Sequence, residues 1–310
     1  MRNMHKPGMS AIEWVLLVTL SVLWGGSFFF AKVAVEELPP LSIVFARVAI
    51  AAVTQNILVL ATGRRMPENL SSWAEFSVMG MLNNLIPFSL IFWAQIEIDS
   101  GLAAILIGAT PLFTVMLVHI LATDEQLSWN RLSGVLVGFA GLAFMIGVEA
   151  FSGFELHVLA EGAVLLAAIS YAAASVFGRR FKGQSPLITA TGQITASSVM
   201  VLPIAMLVDQ PWTLPMPHPV TIGAVAGLAL LSSALAYIIF FRILAAAGAT
   251  SISLVTLLVP ASALLLGYAI LGERSAPHQL AGMALIALGL ILVDGRAITA
   301  LQSRAKSGWS

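Results

Sequence analysis

The sequence is poor in charged residues. Only 10% of its 310 residues are Asp, Glu, Lys or Arg, while 59% are hydrophobic. Soluble domains carry about 25% charged residues, so this chain lacks the polar surface to face water on all sides. The 15 acidic and 15 basic residues balance, and this neutrality gives no reason to expect a nucleic-acid partner. We therefore predict an integral membrane protein with the lipid bilayer as its surroundings.

Cysteine is absent, which excludes disulfides, thiolate metal sites and cysteine nucleophiles. The sequence also contains no zinc motif and no phosphate-binding Walker loop. Serine and histidine are present, but their spacing indicates no nucleophile with a positioned base. We therefore predict that the protein is not an enzyme and holds neither a cofactor nor a metal.

Hydrophobic runs long enough to cross a bilayer, about 20 residues each, occur ten times. The predicted spans are 11–34, 40–62, 72–94, 100–122, 129–148, 158–178, 186–208, 219–241, 249–271 and 277–295. The basic start followed by an apolar run is like a signal peptide, but the run is too long and predicts a retained first span. The fold class predicted is an all-α membrane protein.

Lysine and arginine fall mainly on one side of these spans. Twelve of the 15 lie on the side of the N-terminus, whereas only Lys32 and Arg274 lie on the other side and Arg47 is embedded. Cytoplasmic loops are enriched in these residues, so both termini are predicted to be cytoplasmic.

The second half of the chain repeats patterns of the first. "PLSIVFAR" at 40–47 aligns with "PLITATGQ" at 186–193, and "GLAAILIGATP" at 101–111 aligns with "TSISLVTLLVP" at 250–260. A further match, of one Glu and two Gly at equal spacing, joins Glu125, Gly134 and Gly141 to Glu273, Gly282 and Gly289. The near-constant offset predicts two five-helix repeats, 11–148 and 158–295.

Five is an odd number, so the second repeat must cross the membrane in the opposite sense to the first. Inverted repeats of this kind are typical of carriers, whose substrate binds between the halves near mid-membrane. We therefore expect two inverted repeats around a central cavity, with a small-molecule substrate.

Three segments resemble the drug/metabolite transporter superfamily, in particular ten-span proteins with two EamA-type domains. They are "LSVLWGGSFFFAKVAV" at 20–35, "FARVAIAAV" at 45–53 and "GERSAPHQLAGMALIALGLIL" at 272–292. The resemblance implies a transporter of the bacterial inner membrane. Such proteins export amino acids and other metabolites, or carry nucleotide-sugars and sugar phosphates.

Arg47 is a charge within an apolar span, about 10 Å from its predicted outer end. Three interpretations stay open: the side chain reaches the outer interface, donates to backbone carbonyls of neighbouring helices, or contacts a substrate carboxylate. The aligned residue is Gln193. One cation and one amide suit a zwitterionic or neutral solute better than a phosphorylated one, which usually needs several basic groups.

Other polar and aromatic residues at mid-span are candidates for the cavity wall, with helix packing as the alternative. Trp24 and Ser27 share a helix face, and Tyr171 aligns with Trp24. Asn84 aligns with Ser232 and Ser89 with Tyr237. The cavity candidates are Trp24, Ser27, Arg47, Asn83, Asn84, Ser89, Tyr171, Gln193 and Tyr237.

Prolines within spans are candidates for hinges. Pro87 removes a backbone hydrogen bond in the third span, whereas Pro111 and Pro260 interrupt the fourth and ninth spans at aligned positions. Paired interruptions point to the moving parts of a transporter, with inherited kinks as the alternative. Gly134 and Gly138 allow close helix contact, either within the chain or in a dimer.

No acidic residue lies at mid-span, because Glu13 and Glu75 fall in the first turn of their helices. Proton relays generally use intramembrane Asp, Glu or His, so facilitated efflux is favoured over proton antiport. The function predicted is export of amino acids, aromatic or otherwise apolar, by alternating access. The alternatives are export of drugs or cationic compounds, and a membrane scaffold or sensor without transport. A monomer is expected, with a dimer left open.

Overall fold

The chain is helical throughout the part that the structure describes. This computed structural model describes residues 10–121, 129–146, 156–181, 183–240, 242–243 and 255–294, and it has no strand within those ranges. Outside the described residues lie Glu125, residues 249–254 of the predicted ninth span, and both chain termini. The prediction of an all-α fold is confirmed.

Seven helices lie within the described residues of the first half. In order they are α1 (Ala11–Val35), α2 (Pro40–Ala61), α3 (Leu70–Gly80), α4 (Ile86–Glu97), α5 (Ser100–Ile107), α6 (Thr110–Leu121) and α7 (Trp129–Ile146). A π-helical segment, Met81–Leu85, joins α3 to α4 without a break.

The described residues of the second half include the helices α8 (Leu156–Phe177), α9 (Pro186–Val208), α10 (Pro219–Ala226), α11 (Val255–Leu266) and α12 (Pro277–Asp294). π-Helical segments follow α10 at Gly227–Leu235 and α11 at Gly267–Leu271. The segment after α10 continues as helix, so that one apolar helix runs over Pro219–Phe240.

Seven helical stretches within the described residues are long and apolar enough to cross a bilayer. They are Ala11–Val35, Pro40–Ala61, Leu70–Glu97 (α3 with α4), Ser100–Ile120 (α5 with α6), Leu156–Phe181, Pro186–Val208 and Pro219–Phe240. Three shorter apolar helices, Leu132–Phe144, Leu258–Leu271 and Pro277–Leu292, lie at the remaining predicted spans. The chain is a multi-pass membrane protein.

Several helices begin with the residues that favour helix starts. Ser10 and Glu13 form a capping box, in which each side chain accepts a hydrogen bond from the backbone N–H of the other. Proline is the first residue of α2, α9 and α10, where its missing N–H costs no hydrogen bond.

The two aligned prolines differ in the structure. α5 ends at Ile107 and α6 begins at Thr110, so Pro111 is the second residue of a new helix. Pro260 lies inside α11, which continues through it, so its part as a hinge stays a prediction. A proline removes one backbone hydrogen bond, and neighbouring helices in a membrane protein can support the helix that contains it. A Cβ added to Gly108, at the α5–α6 break, would lie 3.1 Å from Pro260 Cγ.

Glycines allow α7 and α12 to cross closely. A Cβ added to Gly141 would lie 2.9 Å from the Gly282 carbonyl oxygen, and one added to Gly289 would lie 2.6 Å from the Gly134 carbonyl oxygen. Gly138 also borders Gly289 at this crossing. The glycine pattern of the sequence therefore serves a contact within the chain, the first of the two alternatives.

Polar contacts join the two halves near the helix ends that are predicted to be extracellular. Asp209 Oδ2 accepts a hydrogen bond of 2.6 Å from the Ser42 N–H, and Glu37 Oε2 accepts one of 2.7 Å from the His218 N–H. Glu273 accepts hydrogen bonds from the backbone N–H groups of Ser100 and Gly101, and so satisfies the start of α5.

Lys32 lies at the same end and binds the end of α4. Its Nζ donates hydrogen bonds of 2.8 Å to the Gln95 carbonyl and 3.0 Å to the Ile98 carbonyl. Helix carbonyls near a C-terminus have no partner within the helix, and a lysine there also interacts favourably with the helix dipole. Lys32 therefore holds α1 against α4.

Candidate functional site

Arg47 lies on α2 in the interior of the helix bundle, with 6% of its surface exposed. Its Nε donates a hydrogen bond of 3.1 Å to Ser233 Oγ, in the π-helical segment after α10. Its Nη1 donates a hydrogen bond of 3.1 Å to Ser27 Oγ on α1. The guanidinium therefore binds hydroxyl groups from both halves of the chain rather than backbone carbonyls or the interface.

An aromatic side chain covers the Arg47 guanidinium. The Arg47 Cζ atom lies 3.9 Å from the centre of the Phe88 ring and 5.9 Å from the centre of the Phe92 ring, and both phenylalanines are on α4. Translocon insertion data give a free-energy cost of about 2.5–3.5 kcal/mol for an arginine at the centre of a membrane-spanning helix. A desolvated cation–π contact contributes about 2 kcal/mol and each hydrogen bond from a charged group about 1.5–3 kcal/mol, so these contacts offset that cost.

Arg47 has no acidic partner among the described residues. The ionisable side chains near it are those of Tyr171 and Tyr237. Its two hydrogen bonds use Nε and Nη1, which leaves Nη2 without a hydrogen-bond partner in the described part of the chain. A buried cation without a counter-ion carries an uncompensated charge, which an anionic group bound beside it would neutralise.

Two π-helical segments bring polar residues to the bundle centre. Met81–Leu85 carries Asn83 and Asn84, and Gly227–Leu235 carries Ser232 and Ser233. The sequence aligned Asn84 with Ser232, so the two segments occupy equivalent places in the two halves. π-Helical turns inside α-helices occur frequently at functional sites.

Asn83 connects the two halves through its side chain. Its Nδ2 donates a hydrogen bond of 3.1 Å to Gln193 Oε1 on α9. The Tyr237 hydroxyl lies close to the same side chain. Asn83, Gln193 and Tyr237 were all predicted as cavity residues, and the structure brings them together.

Asn84 is fully buried beside this group. Its Nδ2 donates a hydrogen bond of 3.0 Å to Ser197 Oγ, which donates in turn to the Gln193 carbonyl at 2.7 Å. Gly80 faces the same stretch of α9, where an added Cβ would collide with the Gln193 carbonyl and Ser197 Oγ. Asn84 therefore joins two helices rather than lining an open space.

Two predicted cavity residues have other surroundings. The Trp24 ring lies 5.7 Å from that of Phe240 and packs within a cluster that contains Leu17, Leu20 and Ile239. These contacts correspond to the packing alternative for Trp24. Ser89 Oγ is buried without a hydrogen-bond partner in the described part of the chain. Pro87 is buried at the start of α4, directly after the π-helical segment.

The sequence analysis missed two residues that contact Arg47. Phe88 is one of many apolar residues in its span, so no sequence signal separates it from its neighbours. Ser233 follows Ser232, and the repeat alignment drew attention only to Ser232. A π-helical segment shifts which residues face a neighbouring helix, and regular helical spacing does not predict that shift.

The two halves of the chain match one known protein family. The EamA-like transporter family matches the chain twice, over residues 11–147 and 158–294. The chain belongs to the EamA-like transporter family. It is therefore a membrane transporter, as the resemblance of its motifs implied.

Relatives of this transporter are found in several bacteria. Transporter YoaV of Bacillus subtilis is 22% identical over 89% of this chain and 94% of its own length. The inner membrane transporter YedA of Escherichia coli K12 is 26% identical over 89% of each chain. Protein PecM of Dickeya dadantii is 27% identical over 92% of this chain and 93% of its own length.

A crystal structure shares the fold of the transporter. The two superpose with a TM-score of 0.63 at 20% identity, over 92% of this chain and 96% of the other. At this identity the similarity establishes the fold alone.

Proposed function

We propose that the transporter exports amino acids, aromatic or otherwise apolar, with their carboxylate bound at Arg47. The observation that carries this proposal is the buried guanidinium, which has no acidic partner among the described residues and keeps Nη2 unused. A carboxylate accepts charge-assisted hydrogen bonds from arginine, and its charge compensates the buried cation.

The surroundings of Arg47 suit an amino acid better than a phosphorylated solute. The partners nearby are hydroxyl and amide groups, which hydrogen-bond a zwitterion without adding positive charge. Phe88 and Phe92 supply apolar contact area beside the cation. A pocket of this type selects the side chain by shape and orients the backbone by a few polar groups.

The close crossing of α7 and α12 supports two inverted repeats. Gly134 aligns with Gly282 in the sequence, and Gly141 aligns with Gly289. In the structure Gly141 contacts Gly282 and Gly289 contacts Gly134. Replacing each glycine of the first contact by its aligned glycine gives the second contact. That exchange is what a two-fold axis between equivalent helices produces. We propose that the halves 11–148 and 158–295 rock about such an axis during alternating access.

In this proposal, the transporter lies in the bacterial inner membrane and both of its termini are in the cytoplasm. The bias of lysine and arginine supports the orientation. The inner membrane location of the Escherichia coli relative supports the compartment. The close glycine crossing lies within one chain, which is consistent with a monomer.

Reconstitution into lipid vesicles tests the substrate class. We expect flux of radiolabelled phenylalanine or leucine, and a loss of about tenfold or more for Arg47→Ala, since one charge-assisted hydrogen bond corresponds to about a tenfold effect. Arg64→Ala is the matched control, because Arg64 is exposed and its side chain bonds to Ser185 Oγ.

Three outcomes of the same assay would contradict the proposal. Flux of cationic dyes without amino-acid flux would identify a drug exporter. Flux of sugar phosphates would show that one cation is sufficient for a phosphate. Equal loss in the Arg47 and Arg64 variants would show that the buried arginine has no special part in binding.

A further inference from the structure

Two loops meet at the helix ends that are predicted to be cytoplasmic. One joins α2 to α3 over residues 62–69 in the first half, and the other joins α8 to α9 over residues 178–185 in the second half. A hydrogen bond of 2.5 Å from Arg64 Nη1 to Ser185 Oγ connects the loops. Their described residues therefore form one surface that belongs to both halves of the chain.

An aromatic cluster supports this surface from beneath. The Phe76 ring on α3 stacks on the Phe181 ring, with 5.7 Å between the ring centres. Met66 packs against the same cluster. Met66 directly follows Arg65 in the chain, and Phe181 directly follows Arg180. The packing therefore brings basic residues of the two loops to the border of one cluster.

Three arginines of this surface are exposed and have no partner in the described part of the chain. The side chains of Arg65, Arg179 and Arg180 make no hydrogen bond and no ion pair there. The Arg180 Cζ atom lies 5.0 Å from the centre of the Phe177 ring. This contact orients the guanidinium and leaves its N–H donors available to a ligand.

Negative charge is scarce in the two loops. Residues 178–185 include three basic residues and no acidic one, and residues 62–69 include two basic residues and one acidic residue, Glu68. Clustered charges of one sign repel one another, and a bound anion would offset that repulsion. The ligand that fits this surface is therefore an anion.

The bilayer reaches this surface. Leu60 near the end of α2 is 70% exposed, and Leu70 at the start of α3 is 84% exposed. Both leucines belong to helices that are long and apolar enough to cross the membrane, so they contact lipid chains. Arg65 lies between them in the chain, at the level of the lipid headgroups. The anions concentrated at that level are the phosphates of anionic lipids.

We propose that Arg65, Arg179 and Arg180 bind the phosphate of an anionic phospholipid, which then bridges the two loops. Arginine suits this ligand because its planar fork of donors matches the oxygens of a phosphate. The general bias of basic residues toward this side explains the sign of the charge, whereas the meeting of the two loops explains a site. The proposal does not depend on amino-acid transport, because the lipid is not the transported solute and Arg47 has no part in binding it.

Native mass spectrometry of the full-length transporter in detergent tests the site. The probes are dioleoyl phosphatidylglycerol, whose headgroup is an anion, and dioleoyl phosphatidylcholine, whose headgroup is a zwitterion. We expect the wild type to bind phosphatidylglycerol more tightly. Each of Arg65→Gln, Arg179→Gln and Arg180→Gln should weaken that binding about fivefold, and the triple variant about a hundredfold, as expected for basic residues at an anionic lipid surface.

An arginine at the other end of the helices provides the matched control. Arg274 is exposed there, so Arg274→Gln should bind phosphatidylglycerol as the wild type does. Thermal unfolding shows whether each variant is folded, and phosphatidylglycerol should raise the melting temperature of the wild type more than that of the triple variant. None of these readouts requires transport, so failure of the amino-acid proposal would leave this test intact.

Three results would overturn the site. Equal affinity of phosphatidylglycerol for the wild type and the folded triple variant would show that these arginines do not bind the lipid. Equal affinity of the wild type for both lipids would indicate contact with lipid chains only. Displacement of phosphatidylglycerol by an equal concentration of inorganic phosphate or of a polyglutamate peptide would assign the surface to a soluble anion or to an acidic protein.

Discussion

Arg47 and Ser233, 186 residues apart in the chain, are joined by a hydrogen bond of 3.1 Å from Nε to Oγ. One residue belongs to the first half and the other to the second half. Ser233 donates in turn to the Leu228 carbonyl, so its orientation is fixed within the π-helical segment. A charge held between two halves in this way responds to any movement of one half against the other.

Replacing Arg47 with lysine separates charge from geometry. Lysine keeps the charge but lacks the planar fork of donors that reaches Ser27 and Ser233 together. We expect a loss of about tenfold in amino-acid flux, which corresponds to about 1.4 kcal/mol. The measurement is initial flux into vesicles over a range of substrate concentrations. Wild-type flux would show that a point charge is sufficient.

A methyl group at the α7–α12 crossing should destabilise the fold. In Gly289→Ala the new Cβ would lie 2.6 Å from the Gly134 carbonyl oxygen, so the helices must separate. We expect a cost of about 1–3 kcal/mol, as for other overpacked sites. Gly162→Ala is the control, because its Cβ meets nothing within 4 Å on α8 and alanine favours helix. Thermal unfolding in detergent compares them; equal melting temperatures would contradict the close crossing.

Asn84 and Ser197 should show a measurable coupling. Their side chains share a buried hydrogen bond of 3.0 Å between α9 and the π-helical segment after α3. Such bonds in membrane proteins contribute about 0.6 kcal/mol on average. A double-mutant cycle of Asn84→Ala and Ser197→Ala in reversible unfolding measures this energy. Additive effects of the two substitutions would mean that the bond contributes nothing.

Asp99 should make stability depend on pH. Burial raises the pKa of its carboxyl, and the nearby Glu273 raises it further, whereas Lys32 and His157 act in the opposite direction. A raised pKa means that the folded state favours the protonated form. Stability is therefore lost as pH rises from the unfolded value of about 3.9 through the folded pKa. We expect Asp99→Asn to melt higher than the wild type at pH 7 but not at pH 4.

Glu37 should make stability depend on pH in the opposite direction to Asp99. The hydrogen bond from the His218 N–H lowers the pKa of Glu37, with Thr221 as a second donor. The stability that Glu37 adds to the folded state is present above its unfolded pKa of about 4.3 and is lost as pH falls through its folded pKa. Glu37→Gln should therefore melt below the wild type at pH 7. The same pH dependence for both variants would rule out these local causes.

The sequence predicted the membrane fold because the length of the hydrophobic runs and the positions of the charged residues are visible in the order of the residues. It also named Asn83, Gln193 and Tyr237 as cavity candidates, and these three residues lie together in the structure. It did not predict the π-helical segments, since a local change in helical register leaves no regular spacing in the sequence. It placed an interruption at Pro260, where α11 is continuous. Phe88 could not be chosen among equally apolar neighbours.

The lack of native cysteine permits a direct test of movement between the halves. Ser42 and Asp209 are joined across the halves by a hydrogen bond of 2.6 Å. In the variant Ser42→Cys with Asp209→Cys, a short bifunctional maleimide would tie the halves together at this point. Asn69→Cys with Ser72→Cys is the control, because both residues belong to one loop and helix start of the first half.

Amino-acid flux through the cross-linked protein is the measurement that tests alternating access most directly. We predict that flux stops after the Ser42–Asp209 pair is cross-linked, and that the single-cysteine variants and the control pair keep their flux under the same treatment. Full flux through the transporter cross-linked at Ser42 and Asp209 would be incompatible with alternating access, because the cross-linked halves cannot separate at that end.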